Sequence, residues 1–378
     1  MATETHSFLG ANTPNGFVSL FGELYDPYRD HNVYIIKGGP GCGKSTLMKR
    51  IAKRATALGC DVECVHCSSD PDSLDAVLVP SLRLFVCDGT APHVVEPRFP
   101  GACENIINLG AFWDVQALRA QADRIRQHTL ETALCHRRST RYLAAAGALR
   151  QASLQLLQPL VLEEKLNGYA LRWCMRLLPN KKSRPGKATR RFLSGITPQG
   201  AVFYPETVRA AATEITLLDD PFSPAAGMLL RRMAARASAH GYDHTVLLDP
   251  LDPHGDPLGL LIPQQRLALL RKTAQTAALP AARTLHANRF LQPDAVRRHR
   301  QRLQFQQKTA QSLIDESVRQ LQQAKETHDL LERCYTKAID FDALNLATDR
   351  LLDRLFGEDC QKAADPAEKG RIFLCGCS

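Results

Sequence analysis

Residues 38–46 read GGPGCGKST, set between the apolar run Val33-Tyr34-Ile35-Ile36 and the helix-forming run Leu47-Met48-Lys49-Arg50-Ile51-Ala52. That juxtaposition predicts a strand, a tight loop and a helix in one stretch. Gly38, Gly43, Lys44 and Ser45 stand at the spacing a loop needs if it is to curl back and aim successive backbone N–H groups at one phosphate. Glycine permits the curl. Lys44 then reaches the β and γ phosphates, the Ser45 hydroxyl is placed to ligate Mg²⁺, and the positive end of the following helix adds attraction for the anion. The expected nucleotide-binding residues are Gly39, Pro40, Gly41, Cys42, Gly43, Lys44, Ser45 and Thr46, with ATP and Mg²⁺ as the ligands.

A chain of 378 residues is long for one core and suits two domains of ordinary size. Hydrophobic content of 44% and charged content of 23% belong to a soluble globular protein, and no window is apolar for long enough to span a membrane. The start, Met1-Ala2-Thr3-Glu4-Thr5-His6, lacks the basic and apolar regions of a signal peptide, so a cytoplasmic location is expected. The 12 cysteines then read as reduced thiols, mostly buried. Cys64 and Cys67 form a CxxC, and Cys375 and Cys377 end the chain. A four-sulfur zinc site is disfavoured because Cys64 and Cys67 sit in an expected strand, where they would diverge to opposite faces.

The chain also repeats itself. Phe8-Leu9-Gly10-Ala11-Asn12-Thr13-Pro14-Asn15-Gly16 returns as Phe192-Leu193-Ser194-Gly195-Ile196-Thr197-Pro198-Gln199-Gly200. In register, Leu47, Arg50, Ala52, Arg54, Ala55, Gly59 and Asp61 fall on Leu229, Arg232, Ala234, Arg236, Ala237, Gly241 and Asp243. A third echo is Phe373-Leu374-Cys375-Gly376-Cys377-Ser378, which makes the recurring element an expected returning edge strand. Each copy reads as alternating strand and helix, the pattern of a parallel sheet wrapped by helices. Residues 114–172 and 293–356 then read as antiparallel helical hairpins, with arms of about 35 Å at 1.5 Å per residue. The expected fold is α/β, with two tandem phosphate-loop repeats at 1–190 and 191–378, the second degenerate.

Taken together, residues 10–16, residues 38–46, His66-Cys67-Ser68-Ser69-Asp70 through Leu74-Asp75, Asp88-Gly89-Thr90-Ala91-Pro92-His93 and Ile106-Ile107-Asn108-Leu109-Gly110 resemble a bacterial family. Its members are ATP-binding proteins built of two tandem P-loop repeats, known as ATPases or nucleotide-kinase-like proteins. The resemblance spans nearly the whole chain and implies ATP binding and this fold. The second copy departs from it, since an intact second phosphate loop is what the resemblance implies.

Leu84-Phe85-Val86-Cys87-Asp88 is an apolar strand ending in a carboxylate, which makes Asp88 the candidate partner of Ser45 in holding Mg²⁺; a turn cap beside Gly89-Thr90 is the alternative. No glutamate follows Asp88, so slow or partner-stimulated hydrolysis is expected. His66, Ser68, Ser69, Asp70, Asp72 and Asp75 are expected at the carboxyl end of the second strand, in an acidic loop where ligands bind in open α/β sheets. Asp70 is the favoured proton acceptor there, from water in an ATPase or from a hydroxyl in a small-molecule or nucleotide kinase. A nonhydrolysing nucleotide-dependent binding module is a further alternative. His93 reads as a sensor of the γ phosphate or as a structural group. The helical arms would serve a protein partner. Residues 172–191 hold eight basic and no acidic residues, and with the net charge of +9 they leave nucleic-acid binding open but not favoured.

In the second copy, Gly38, Gly43, Lys44 and Ser45 fall on Asp220, Ala225, Ala226 and Gly227, with Asp219, Pro221 and Pro224 beside them and Arg271 in place of Asp88. No cation remains, and prolines remove N–H donors. One nucleotide per chain is expected, with Arg271 or Arg289 as a candidate phosphate ligand for the first site.

Overall fold

The computed structural model describes the chain except residues 1, 31, 182, 183, 221, 223 and 358–378. The first half runs β1 (Glu4–Ser7), β2 (Gly10–Thr13), β3 (Gly16–Ser19), β4 (Asn32–Lys37), α1 (Lys44–Ala57), β5 (Val62–Cys67), β6 (Asp70–Val79), β7 (Leu84–Asp88) and β8 (Glu104–Asn108). Helices α2 (Val115–Ala120), α3 (Ala122–Leu157) and α4 (Glu163–Leu177) follow. The second half runs β9 (Ala188–Arg191), β10 (Ser194–Thr197), β11 (Gly200–Phe203), α5 (Pro205–Ala211), β12 (Glu214–Asp219), α6 (Ala225–Ala239), β13 (His244–Leu247), β14 (Gly259–Ile262), β15 (Leu267–Arg271) and β16 (Arg283–His286). It closes with α7 (Ala295–Arg298), α8 (Arg300–Thr336) and α9 (Phe341–Leu355).

Two six-stranded sheets result, ordered β1-β5-β6-β7-β4-β8 and β9-β13-β14-β15-β12-β16. Neither is wholly parallel, as the alternation of strand and helix had implied. β6 runs antiparallel to β5 and β7, and β14 runs antiparallel to β13 and β15. The expected acidic loop is therefore mostly strand. Cys67 pairs with Asp70, so only Ser68 and Ser69 make the turn, and β6 begins at once through Pro71, Asp72 and Ser73. Turn-forming residues were overridden by the pairing of the apolar run that follows them, Leu74 to Val79.

The recurring Phe-Leu-Gly element is not an edge strand either. It forms the hairpins β2–β3 and β10–β11, each turning through a glycine at φ +95, Gly16 and Gly200. Thr13 and Thr197 close these turns by donating to the carbonyls of Gly16 and Gly200 at 2.7 and 2.9 Å. The edge strands are the residues just before them, β1 beside β5 and β9 beside β13. The echo at residues 373–378 lies outside the described residues.

The chain forms two compact units, and they do not divide at residue 190. The first contains residues 1–7, 21–135 and 322–378, the second residues 8–20 and 136–321. Two long helices carry the chain from one unit to the other: α3 has 36 residues and α8 has 37, in place of the two expected hairpins. Within the second unit the two helices pair antiparallel, with Ser139 against Ser317 at 2.8 Å and Ser153 donating to Gln306 at 2.8 Å. Each unit consequently takes its last helix from the opposite half of the sequence.

In the first unit α1 buries Leu47, Met48, Ile51, Ala52 and Ala55, an apolar stripe at helical spacing, in a core with Val77, Val79, Leu84 and Val86. Leu344, Leu351 and Leu355 of α9 complete that core, and Arg50 of α1 is ion-paired with Asp349 of α9. In the second unit Leu166, Ala170, Trp173 and Cys174 of α4 pack with Leu229, Leu230 and Met233 of α6. Burying a leucine fully is worth about 1.5–3 kcal/mol, so each exchanged helix supplies a large part of its core's stabilisation. The basic stretch before β9 is also engaged: Lys181 lies 4.1 Å over the Tyr242 ring, and Arg184 is 3.3 Å from Asp243.

Candidate functional site

The parallel pair β4 and β7 sets the site. Register places Ile36 opposite Asp88, so the loop leaving β4 and the carboxylate ending β7 emerge side by side at one sheet edge. Gly41 and Gly43 take left-handed backbone angles, φ +67 and +83, that other residues adopt only at a cost. Gly38 is required for a different reason: a Cβ there would stand 2.5 Å from Cys42 Sγ. Cys42 is buried, its thiol donates to the Gly39 carbonyl at 2.9 Å, and burial raises its pKa, so it serves the loop's shape.

Lys44 opens α1 and folds its side chain back into the loop. Its Nζ donates to the carbonyls of Gly38 and Gly39 at 3.0 and 2.8 Å and stands 3.6 Å from Asp88 Oδ2. Ser45 Oγ accepts from the Leu74 amide at 2.9 Å. Asp88 also makes the turn cap weighed above, since its Oδ1 accepts from the Thr90 amide and hydroxyl at 2.8 and 2.6 Å. Oδ2 therefore faces the lysine while Oδ1 fixes the carboxylate.

Asp70 does not stand with this group: its Oδ2 accepts from Ser73 Oγ at 2.9 Å and lies 3.7 Å from Lys325 of α8. The neighbouring acid is Asp75. One ligand atom from each of Asp75, Asp88 and His93 lies within 4.8 Å of the others, and all three residues are buried. Burial and the charge of Asp88 raise the Asp75 pKa to about 8, against the opposing effects of Cys67 and Lys44. Burial lowers His93 to about 4, and its ring stacks on Phe21 with centroids 4.3 Å apart. Asp75 sat within the acidic run read from sequence, but only the pairing of β6 with β7 singles it out. Two further residues had no sequence signal: a Cβ on Gly39 would stand 2.8 Å from Tyr335 and 3.2 Å from Trp113, so both rings pack on the loop.

In the second unit β12 is followed by α6, as β4 is followed by α1. Asp220 Oδ2 accepts from the Ala226 amide at 2.9 Å, so a side-chain carboxylate occupies the start of α6. Register puts Arg271 opposite Leu218, as Asp88 stands opposite Ile36. Lys272 and His286 stand 3.4 and 3.2 Å from Asp219. Arg289 stacks on Tyr169, 5.7 Å from the ring centre, within the same unit. Pro221 lies outside the described residues.

A family model described as Novel STAND NTPase 3 matches residues 18–90. The matched stretch carries β4, the glycine loop, α1 and Asp88, and it is NTPase-like. Neither a curated protein nor a solved structure gave a match. Among the described residues no helix is long and apolar enough to cross a membrane.

Proposed function

We propose that the first unit binds Mg²⁺-ATP and hydrolyses it slowly or under the control of a protein partner. The observation that carries this reading is Lys44, folded into a loop of left-handed glycines and 3.6 Å from the carboxylate ending the adjacent parallel strand. Ser45 and Asp88 supply the hard oxygen donors that suit Mg²⁺. When bound, the ion would neutralise charge between the β and γ phosphates. Lys44 would exchange its two carbonyl partners for phosphate oxygens, and the amides of residues 41–45 would complete the cradle. Asp75, in place of Asp70, is the acid that would orient an attacking water or an acceptor hydroxyl; with its pKa raised to about 8 it would accept a proton only once ionised, so turnover should rise as pH passes through that value. Phosphate release from ATP in purified protein supports the ATPase. Transfer to an added metabolite would favour the kinase, and tight binding with no turnover the binding module.

We infer further that the two halves derive from one ancestral unit and that the second has lost nucleotide. The shared strand order, the paired hairpins and the left-handed Arg83 and Arg266 after Pro80 and Pro263 support the duplication. With the Asp220 carboxylate on the amide an anion would need, calorimetric titration with a nonhydrolysable ATP analogue should give one site per chain. Two sites of comparable affinity would overturn this.

A further inference from the structure

Away from the phosphate loop, the first unit holds a second group of ligand-type side chains on the edge pair β1 and β5. These strands run parallel with His6 directly opposite Cys64. Strand periodicity puts Glu4 on the face of His6, and His66 on the face of Cys64. Ser7 and Glu63 turn to the other face, where Ser7 donates to Glu63 at 2.7 Å. Four potential ligands thus meet on one side of two adjacent strands. They line an open cleft of about 410 Å³ together with Lys49 and Lys53 of α1.

Three of them converge: one ligand atom from each of Glu4, His6 and Cys64 lies within 4.8 Å of the others. Cys64 Sγ lies 3.3 Å from Glu4 Oε1, and His6 Nε2 lies 3.9 Å from the same oxygen. Bond lengths of about 2.0–2.3 Å to zinc place tetrahedral ligand atoms about 3.3–3.7 Å apart, close to these separations. His66 stands behind His6 and orients it. Its Nδ1 lies 2.7 Å from the Pro71 carbonyl, which sets Nδ1 as the protonated nitrogen, so its Nε2 accepts from His6 Nδ1 at 3.0 Å and leaves the His6 Nε2 lone pair toward Glu4 and Cys64.

We propose that Glu4, His6 through Nε2, and Cys64 hold a zinc ion with its fourth position open, that His66 orients His6, and that this site is separate from the magnesium chemistry of Asp88. One thiolate and one imidazole favour zinc over magnesium. Thiolate and carboxylate together cancel the ion's charge, so Lys49 and Lys53 face a neutral centre. Binding releases the Cys64 proton now donated to Glu4. Cys67 takes no part: it lies against Asp75.

The test uses the full chain, stripped with a chelator and titrated with Co²⁺, whose near-ultraviolet thiolate charge-transfer band reports sulfur ligation. One equivalent should produce the band, and Zn²⁺ should abolish it. Cys64→Ser should lose it, His66→Gln should weaken Co²⁺ binding at least about tenfold, and Lys44→Ala should leave it intact. No band in the wild type, a band surviving Cys64→Ser, or a band lost in Lys44→Ala overturns the proposal. Should Cys64→Ser fail to fold by circular dichroism, Glu4→Gln replaces it, and unchanged Co²⁺ affinity there has the same force.

Discussion

Lys44→Ala is expected to weaken Mg²⁺-ATP binding by about 100-fold or more while leaving the far-ultraviolet circular dichroism and melting temperature nearly unchanged. The lysine's partners are two loop carbonyls and Asp88, all at the loop's mouth, and it contributes nothing to the apolar core around α1. Hydrogen bonds to charged groups are worth about 1.5–3 kcal/mol each, and 1.4 kcal/mol is tenfold in affinity, so the loss of a single charged contact to each of two phosphates accounts for the effect. Isothermal titration with a nonhydrolysable analogue measures it. Binding within a factor of two of wild type would remove Lys44 from the site.

Asp249→Ala should have the largest effect on stability. In the second unit Asp249 is buried, ion-paired with Arg150, and accepts from the Leu251 amide at 3.0 Å. Burial alone would raise its pKa, but the Arg150 charge and hydrogen bond, with the Arg271 charge, outweigh burial and hold it below the usual carboxylate value. Removing one partner of a buried pair costs about 3–5 kcal/mol. Arg150 keeps 25% of its side chain exposed, which points to the lower end of that range. A loss of about 3 kcal/mol corresponds to a melting temperature lower by about 10 °C in a unit of this size. The sign with pH follows from the depressed value: the stabilisation is present above the unfolded carboxylate pKa and is lost as pH falls through the folded one. Melting curves of wild type and variant should therefore converge in acid, and a gap independent of pH would show that the pair is not the cause.

The strand, glycine loop and helix from β4 to α1 were legible because the residues that shape the loop stand within nine positions of one another, Gly38 to Thr46. The strand β6 was not. Ser68 to Ser73 reads as turn chemistry, and only the ladder from Glu63–Leu78 through Cys64–Val77 to Val65–Ala76 makes it the start of a strand. The pairing of β6 with β7, Ala76 opposite Cys87, then brings Asp75 and not Asp70 beside Asp88, and that too was hidden in the sequence. The amphipathic stripes of α4 and α9 announce faces that must be covered, yet nothing in a stripe says which sheet covers it. Likewise the i, i+2 spacing of Glu4 with His6 and of Cys64 with His66 stands in the sequence. Their meeting depends on a strand pairing between positions 58 residues apart, with His6 opposite Cys64.

The exchange of terminal helices also governs when the protein can fold. Leu47 and Ile51 of α1 share a core with Leu351 and Leu355 of α9, so the first unit's interior cannot close until about 300 residues after α1 have been synthesised. At about 5–20 residues per second, that interval is about 15–60 seconds. Throughout it the nascent chain carries an uncovered apolar helix face, the situation in which chaperone capture or aggregation competes with folding.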